Sequence, residues 1–436
     1  MESLYRKLYS IITDAEATEH PKNFAEKNAP GNFFRLLVAR TGTKIGDRLS
    51  SPKTTLAWLL QSLGAPPIFI GLIVPLRESG SLIPQILLSN YLKRFTVRKW
   101  AWSLGSLIEG AAIAGCAVVA LTLEGSAAGF AIVGLIAVFS LARGISSVSS
   151  KDILGKTIPK SKRGQLTGWA ASASGIITIA SASFLFTSDS GEGSTTQYAA
   201  YLGVAAALWW ASALVNTRVI EPKSDPVENS NLLAGLSGQF RLLKEDISFR
   251  NFLIVRALAV GSGLSTPYII SLAHDRLGGA AYWLGVFIIA EGLATMLAAP
   301  VWGRWADHSS RNVLRSAMLA VSLLLSTIIA YVSFFEHTEF SYIVFPLILF
   351  LLGSAHAGVR IGRQTYVVDM AEGNTRTDYV AVGNTLIGFI LIGVGLLTGL
   401  LSLLSVQLSL GIFALCALAG AIYGTKLPCV SEPPAS

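Results

Sequence analysis

Residues 98–151 read RKWAWSLGSLIEGAAIAGCAVVALTLEGSAAGFAIVGLIAVFSLARGISSVSSK, and this stretch decides the fold. Two apolar runs, 98–121 and 127–149, stand back to back across a short turn. Each is long enough, at about 1.5 Å per helical residue, to cross a hydrocarbon layer about 30 Å thick. Arg98 and Lys99 open the first run and Lys151 follows the second, while the turn between them has no basic residue. The stretch therefore reads as two antiparallel membrane helices with their basic ends on one side.

Working outward, similar runs recur near 53–74, 76–95, 165–187, 198–219, 249–272, 281–302, 313–335, 341–362, 380–402 and 405–425, making twelve. Arg77 and Glu78 interrupt the second of them. A mean hydropathy of +0.56 and a charged fraction of 14% suit the same reading, since soluble domains carry nearer a quarter charged residues. The net charge of +8 would suit a nucleic-acid binder if it were gathered in one patch. Here the basic residues are spread between apolar runs, which points to membrane lipid and away from nucleic acid. Cys116, Cys416 and Cys429 have neither metal-ligand nor redox spacing, so no disulfide framework is expected.

A polar interval from Arg218 to Arg250 divides the chain into six runs and six. The expected parts are an N-terminal cytoplasmic extension (1–52), a first six-helix half (53–219), a connector (220–248), a second half (249–425) and a tail (426–436). The first 50 residues lack the apolar core and cleavage site of a secretory signal, so no removed leader is expected. Leu4, Leu8, Ile11, Ile12 and Ala15 recur at helical spacing, and Phe33, Phe34, Leu36 and Leu37 begin another such stretch. This extension either packs on the bundle or lies in the membrane interface. Lys93, Arg94, Arg98 and Lys99, then Lys151, Lys156, Lys160, Lys162 and Arg163, lie on the same side as the N-terminal segment. The opposite turns carry Asp189, Glu192, Glu336 and Glu339, with Arg276 as the exception. Both termini are expected in the cytoplasm, in an inner (plasma) membrane.

The halves also repeat. Arg143 and Asp152 are nine residues apart, and Arg360 and Asp369 have the same spacing 217 residues later. Gly168 corresponds to Gly383 after a two-residue deletion. At an offset of 213, Glu78 falls on Glu291 and Arg98 on Arg311. Pro67 and Pro267 form a further pair. Two such halves about an axis along the membrane normal leave a cleft for cargo.

These features resemble the major facilitator superfamily. In Gly303-Arg304-Trp305-Ala306-Asp307-His308-Ser309-Ser310-Arg311-Asn312, the residues Gly303, Asp307 and Arg311 stand in register with its signature, while His308, Ser310 and Asn312 depart from it. The first-half equivalent, Asn90 through Lys99, keeps Arg98 and Lys99 and has Arg94 in place of the acid. Asp152 through Gly168 is similar to the family's loop between helices four and five, and Arg143 to its arginine in helix four. The Gly-Pro signature of antiporters is missing from Gly164 through Phe186, which weighs against drug export. The resemblance implies an all-α membrane protein of twelve helices in two six-helix halves, working by alternating access. Its gating set is Gly303, Asp307, Arg311, Asp152 and Asp369. Asp307 can face a helix N-terminus and a nearby arginine in one state and lose both in the other, or the turn simply reverses the chain.

Charges inside the apolar runs are costly and so mark function. Arg143 lies roughly 12 Å above Lys151 and Glu109 roughly 14 Å above Trp100, both near mid-depth, with Glu78 and Glu291 farther out. The candidate substrate residues are Arg143, Arg360, Arg256, Glu78 and Arg77, and the candidate proton-coupling residues are Glu109 and Glu291. Permanent Arg–Glu pairs, or snorkelling of Arg77 and Arg363, are the competing readings, and His356 reads as a packed histidine. Five arginines stand against three glutamates, so an anionic cargo is the most economical partner for the excess.

No phosphate-binding Gly-rich loop ends in Lys-Ser or Lys-Thr to support ATP drive. The five histidines are scattered at 20, 274, 308, 337 and 356, against a membrane-embedded, lipid-modifying enzyme. A proton-coupled secondary transporter of a small organic solute is the leading reading, with a flux-less sensor or assembly partner as the alternative. A monomer in lipid is expected, with neither cofactor nor metal.

Overall fold

The computed structural model describes residues 9–10, 24–83, 88, 91–92, 94–186, 195–224, 243, 245–335, 339–370 and 373–430. Most of the 220–248 connector and the acidic turn residues Asp189, Glu192 and Glu336 lie outside them. The helices run α1 (Phe24–Leu49), α2 (Thr55–Ser62), α3 (Pro67–Leu82), α4 (Lys99–Thr122), α5 (Gly125–Thr157), α6 (Lys160–Ala182) and α7 (Thr195–Thr217). They continue as α8 (Ile247–Leu258), α9 (Gly261–Leu277), α10 (Ala281–Phe334), α11 (Ser341–Met370), α12 (Gly373–Ser402) and α13 (Val406–Tyr423). The described residues contain no strand. Ser309 is non-helical and divides α10. Counting α1–α2 and α8–α9 as one interrupted rod each, and α10 as two, the described residues make twelve rods.

The first rod corrects two expectations. The segment read as an extension up to residue 52 is, from Phe24 on, a helix inside the bundle. Ala29, Phe33, Leu36 and Ala39 recur every three or four residues and are buried, where α1 packs on α6 and α7. Nor is 53–74 a single span. Gly64, at φ +68°, and Pro66-Pro67 turn the chain there, with Pro67 opening α3 where its missing N–H costs nothing. Pro52 interrupts the rod between α1 and α2. The second interruption, at Ala259–Val260, stands at the same place in the other half. Pro67 begins a helix whereas Pro267 lies within α9, so that pairing does not hold. Arg143 with Arg360, Glu78 with Glu291 and Gly168 with Gly383 do fall on corresponding rods.

The halves α1–α7 and α8–α13 meet along α3 with α12 and α2 with α9. A Cβ on Gly71 would sit 2.8 Å from Gly399 Cα, so glycine is required there for the two backbones to touch. At the bundle end opposite the chain termini, Gln61 Nε2 donates to Asp275 Oδ1 at 2.7 Å and Ser271 Oγ donates to Gln61 Oε1 at 2.8 Å. Ser62 Oγ lies 3.1 Å from His274 Nε2. Trp58 Nε1 donates to Tyr198 Oη, which donates to the Gly279 carbonyl, and the Trp58 ring meets His274 and Phe287 edge-on. This seal closes one end of the cleft.

Candidate functional site

Between the seal and the termini-bearing end lie two adjoining cavities of about 400 and 340 Å³, which share Lys53, Glu78 and Arg360. The helix break at residues 50–54 explains much of the chemistry. Broken helices leave backbone groups unmet, a cost tolerated at membrane depth where the chain lines a cavity or meets protein. The freed Ser50 carbonyl accepts from Arg77 Nη1 at 2.5 Å. One turn earlier, Asp47 receives a two-pronged guanidinium, with Arg143 Nη1 to Oδ1 at 2.6 Å and Nη2 to Oδ2 at 2.5 Å, and it also pairs with Arg77 Nη2. The Phe139 ring lies 4.3 Å from the Arg77 guanidinium carbon. Asp47 thus joins the first, second and fourth rods.

Of the residues singled out in the sequence, Arg77, Glu78, Arg143, Glu291 and Arg360 line the larger cavity, and Arg256, Glu78 and Arg360 line the smaller. The Arg–Glu pairs considered for these positions do not form among the described residues. The acid that holds Arg77 and Arg143 is Asp47, and Glu78 and Glu291 have no ion-pair partner there. Glu109 stands behind the cavity wall, 1% exposed, accepting from Ser146 Oγ at 3.1 Å through one oxygen while the other has no hydrogen-bond partner. Asp47, Lys53, Arg48 and Lys44 were not singled out, because Lys44 through Arg48 reads as a polar stretch before the first apolar run. The available signal was helical spacing. Lys44 and Asp47, each eleven residues on, continue the face that Phe33 and Leu36 begin. Lys53 Nζ contacts His356 Nε2 at 3.2 Å across the two halves. Among the described residues, no group of three or more His, Cys, Asp or Glu could hold a metal.

The gating candidates lie apart from the cavity, toward the termini-bearing end. Asp152 pairs with Arg98 and Lys156. The Glu221 carboxylate accepts from the Arg98 and Lys99 backbone N–H groups, capping α4 at a terminus where negative charge is favoured. In the second half, Arg311 Nη1 donates to the Leu427 carbonyl at 3.0 Å. Gly303 has open space beside it, and Asp307 and Asp369 are exposed. Asp246 caps α8 through Phe249 N and accepts from Tyr379. Burial, then Asp246, push the Tyr379 hydroxyl up to about 12, so it remains a donor at ordinary pH.

Several solved structures share this arrangement. The nucleoside transporter NupG aligns at a TM-score of 0.66 and 13% identity, covering 91% of this chain and 98% of that one. A D-xylose–proton symporter aligns at 0.68 and 12%, covering 91% and 98%. The inward-open xylose transporter XylE from E. coli aligns at 0.65 and 10%, covering 90% and 95%. At these identities the likeness is one of fold. No curated protein matches the sequence. The family model of the major facilitator superfamily matches residues 45–396, more than half of the chain and both halves of the cavity, and the chain belongs to that superfamily.

Proposed function

We propose that this protein is a secondary transporter that carries a small organic anion by alternating access, with proton coupling through Glu109. The observation that carries the reading is the charge of the cavities, which are lined by eight lysines and arginines against three carboxylates. Asp47 already serves Arg77 and Arg143. Among the described residues, cations without an ion-pair partner therefore remain at Lys44, Arg48, Lys53, Arg256, Arg360 and Arg363, and a small anion is the simplest compensation. Glu109, buried without a cation pair, suits a group that carries a proton when neutral and attracts Arg143 when ionised. With both termini in the cytoplasm of the inner membrane, the seal at Gln61 and Asp275 makes this the inward-facing state.

The nucleoside, sugar and proton named for the structural neighbours are theirs. What favours an anion here is this chain's own charge. Among the described residues no reactive cluster supports an enzyme reading, and a sensor would bind without flux. Proteoliposome uptake of a panel of organic anions, with and without an imposed proton gradient, separates these. Arg360→Gln is expected to abolish anion uptake, and Glu109→Gln to leave exchange while removing its gradient dependence. Anion binding without uptake would support the sensor, and neither binding nor uptake of any anion would overturn the reading.

A further inference from the structure

The two halves build the same cradle and fill it differently. Asp47 stands two residues before the end of α1 and Arg256 two residues before the end of α8, each just ahead of its helix break. In the first half the Asp47 carboxylate occupies the cradle, gripped by Arg143. In the second half the partner arginine, Arg360, is kept, but arginine replaces the acid, and Arg363 and Lys53 line the same 340 Å³ cavity. Glu78 is the one carboxylate among its lining residues. Arg256 is 8% exposed; its Nη2 donates to Asn384 Oδ1 at 2.7 Å and its Nε has no partner.

His356 supplies no negative charge. Ser262 Oγ donates to the Ala259 carbonyl at 2.8 Å and so accepts from His356 Nδ1 at 3.1 Å. Nε2 is then left to accept from Lys53, and the ring is neutral. Four cationic side chains and one carboxylate face one small space. A single carboxylate from a ligand would leave most of that charge unmet.

Resting on the anion reading above, we propose that the second-half cavity binds the doubly charged oxyanion of a phosphomonoester. Its phosphate stands where the Asp47 carboxylate stands in the first half, held by Arg256, Arg360 and Lys53, and Glu78 accepts from a hydroxyl of the organic portion. Guanidinium forks suit this role because they meet two phosphate oxygens at once.

The test is calorimetric titration of the full-length protein in detergent with glycerol 3-phosphate, inorganic phosphate, sulfate, lactate and succinate. Glycerol 3-phosphate is expected to bind at least about ten-fold more tightly than lactate or succinate, since each added charged hydrogen bond is worth about a factor of ten or more. Its affinity should fall about ten-fold from pH 7.5 to 5, because a phosphomonoester loses its second charge near a pKa of about 6. Sulfate, doubly charged throughout, should show much less dependence. Arg256→Asp, which restores the first half's internal acid, should cost phosphomonoester affinity about ten-fold or more, as should the milder Arg256→Gln. Carboxylates binding as tightly as the phosphomonoester would overturn the proposal and leave the anion reading standing. Phosphate binding without phosphomonoester binding would reassign the cavity to free phosphate and overturn it equally. Unchanged affinity in both Arg256 variants would place the ligand elsewhere. If no anion binds, the anion reading falls with it.

Discussion

Asp47→Asn keeps the shape of the side chain and removes one charge from a carboxylate that serves two guanidinium groups. Breaking a buried ion pair by removing one partner costs about 3–5 kcal/mol, because the other charge stays buried and unpaired. Here Arg77 is 5% exposed, but Asp47 and Arg143 are 27% and 32% exposed to the cavity. Water therefore reaches two of the three groups, and the expected loss is about 1–3 kcal/mol. Most of that loss belongs to Arg77, whose Nη1 stays tied to the Ser50 carbonyl and cannot swing toward water. Thermal unfolding of the purified protein, followed by tryptophan fluorescence, should show Tm lowered by several degrees. Acetate should restore part of the loss in the variant and do little for the parent, since it supplies the missing carboxylate to the same two arginines. In a double-mutant cycle with Arg143→Gln, the combined change should cost less than the sum by about 1 kcal/mol or more. An unaltered Tm, no response to acetate and additive effects would together refute a structural role for the Asp47 triad.

Both termini are expected on the cytoplasmic side, so a cysteine at Ser224, in a chain whose Cys429 has been replaced, should resist an impermeant reagent added to intact cells; labelling there would reverse the topology. Asp307, exposed while the opposite end is sealed, is expected to find its partner in the other state. Asp307→Asn should then move the distance distribution between labels on the cytoplasmic ends of the two halves toward the separated form, and an unmoved distribution would remove the latch.

The parts of the fold legible in the sequence were those whose surroundings are apolar all around. The run at 98–121 matches α4 closely, and 127–149 lies within α5, which continues to Thr157 through the polar end the hydropathy left out, because lipid or packed side chains surround most of each helix. The first rod was misread for the opposite reason. Its inner stretch, Lys44 through Thr54, faces an aqueous cavity and a guanidinium cluster, so its composition looks like a segment outside the membrane. Hydropathy reports what a helix faces, and a cavity-lining helix of a transporter faces water. The same polarity that hid the first rod marks the site.

The repeat was readable at Arg143 and Arg360 because both halves keep arginine there. At the helix breaks it was hidden, since one half has Asp47 where the other has Arg256. That difference explains more of the chemistry than the conserved positions do. A cradle whose acid is built in has its charge met before cargo arrives and acts mainly to hold its rods together. A cradle whose acid is replaced by arginine keeps a buried charge that its own chain does not satisfy, a cost that persists where a ligand relieves it. The excess of arginine over glutamate points to an anion from composition alone. Because Asp47 accounts for Arg77 and Arg143, the three arginines left of the five counted from the sequence, Arg256, Arg360 and Arg363, all lie in the second half, around its cavity.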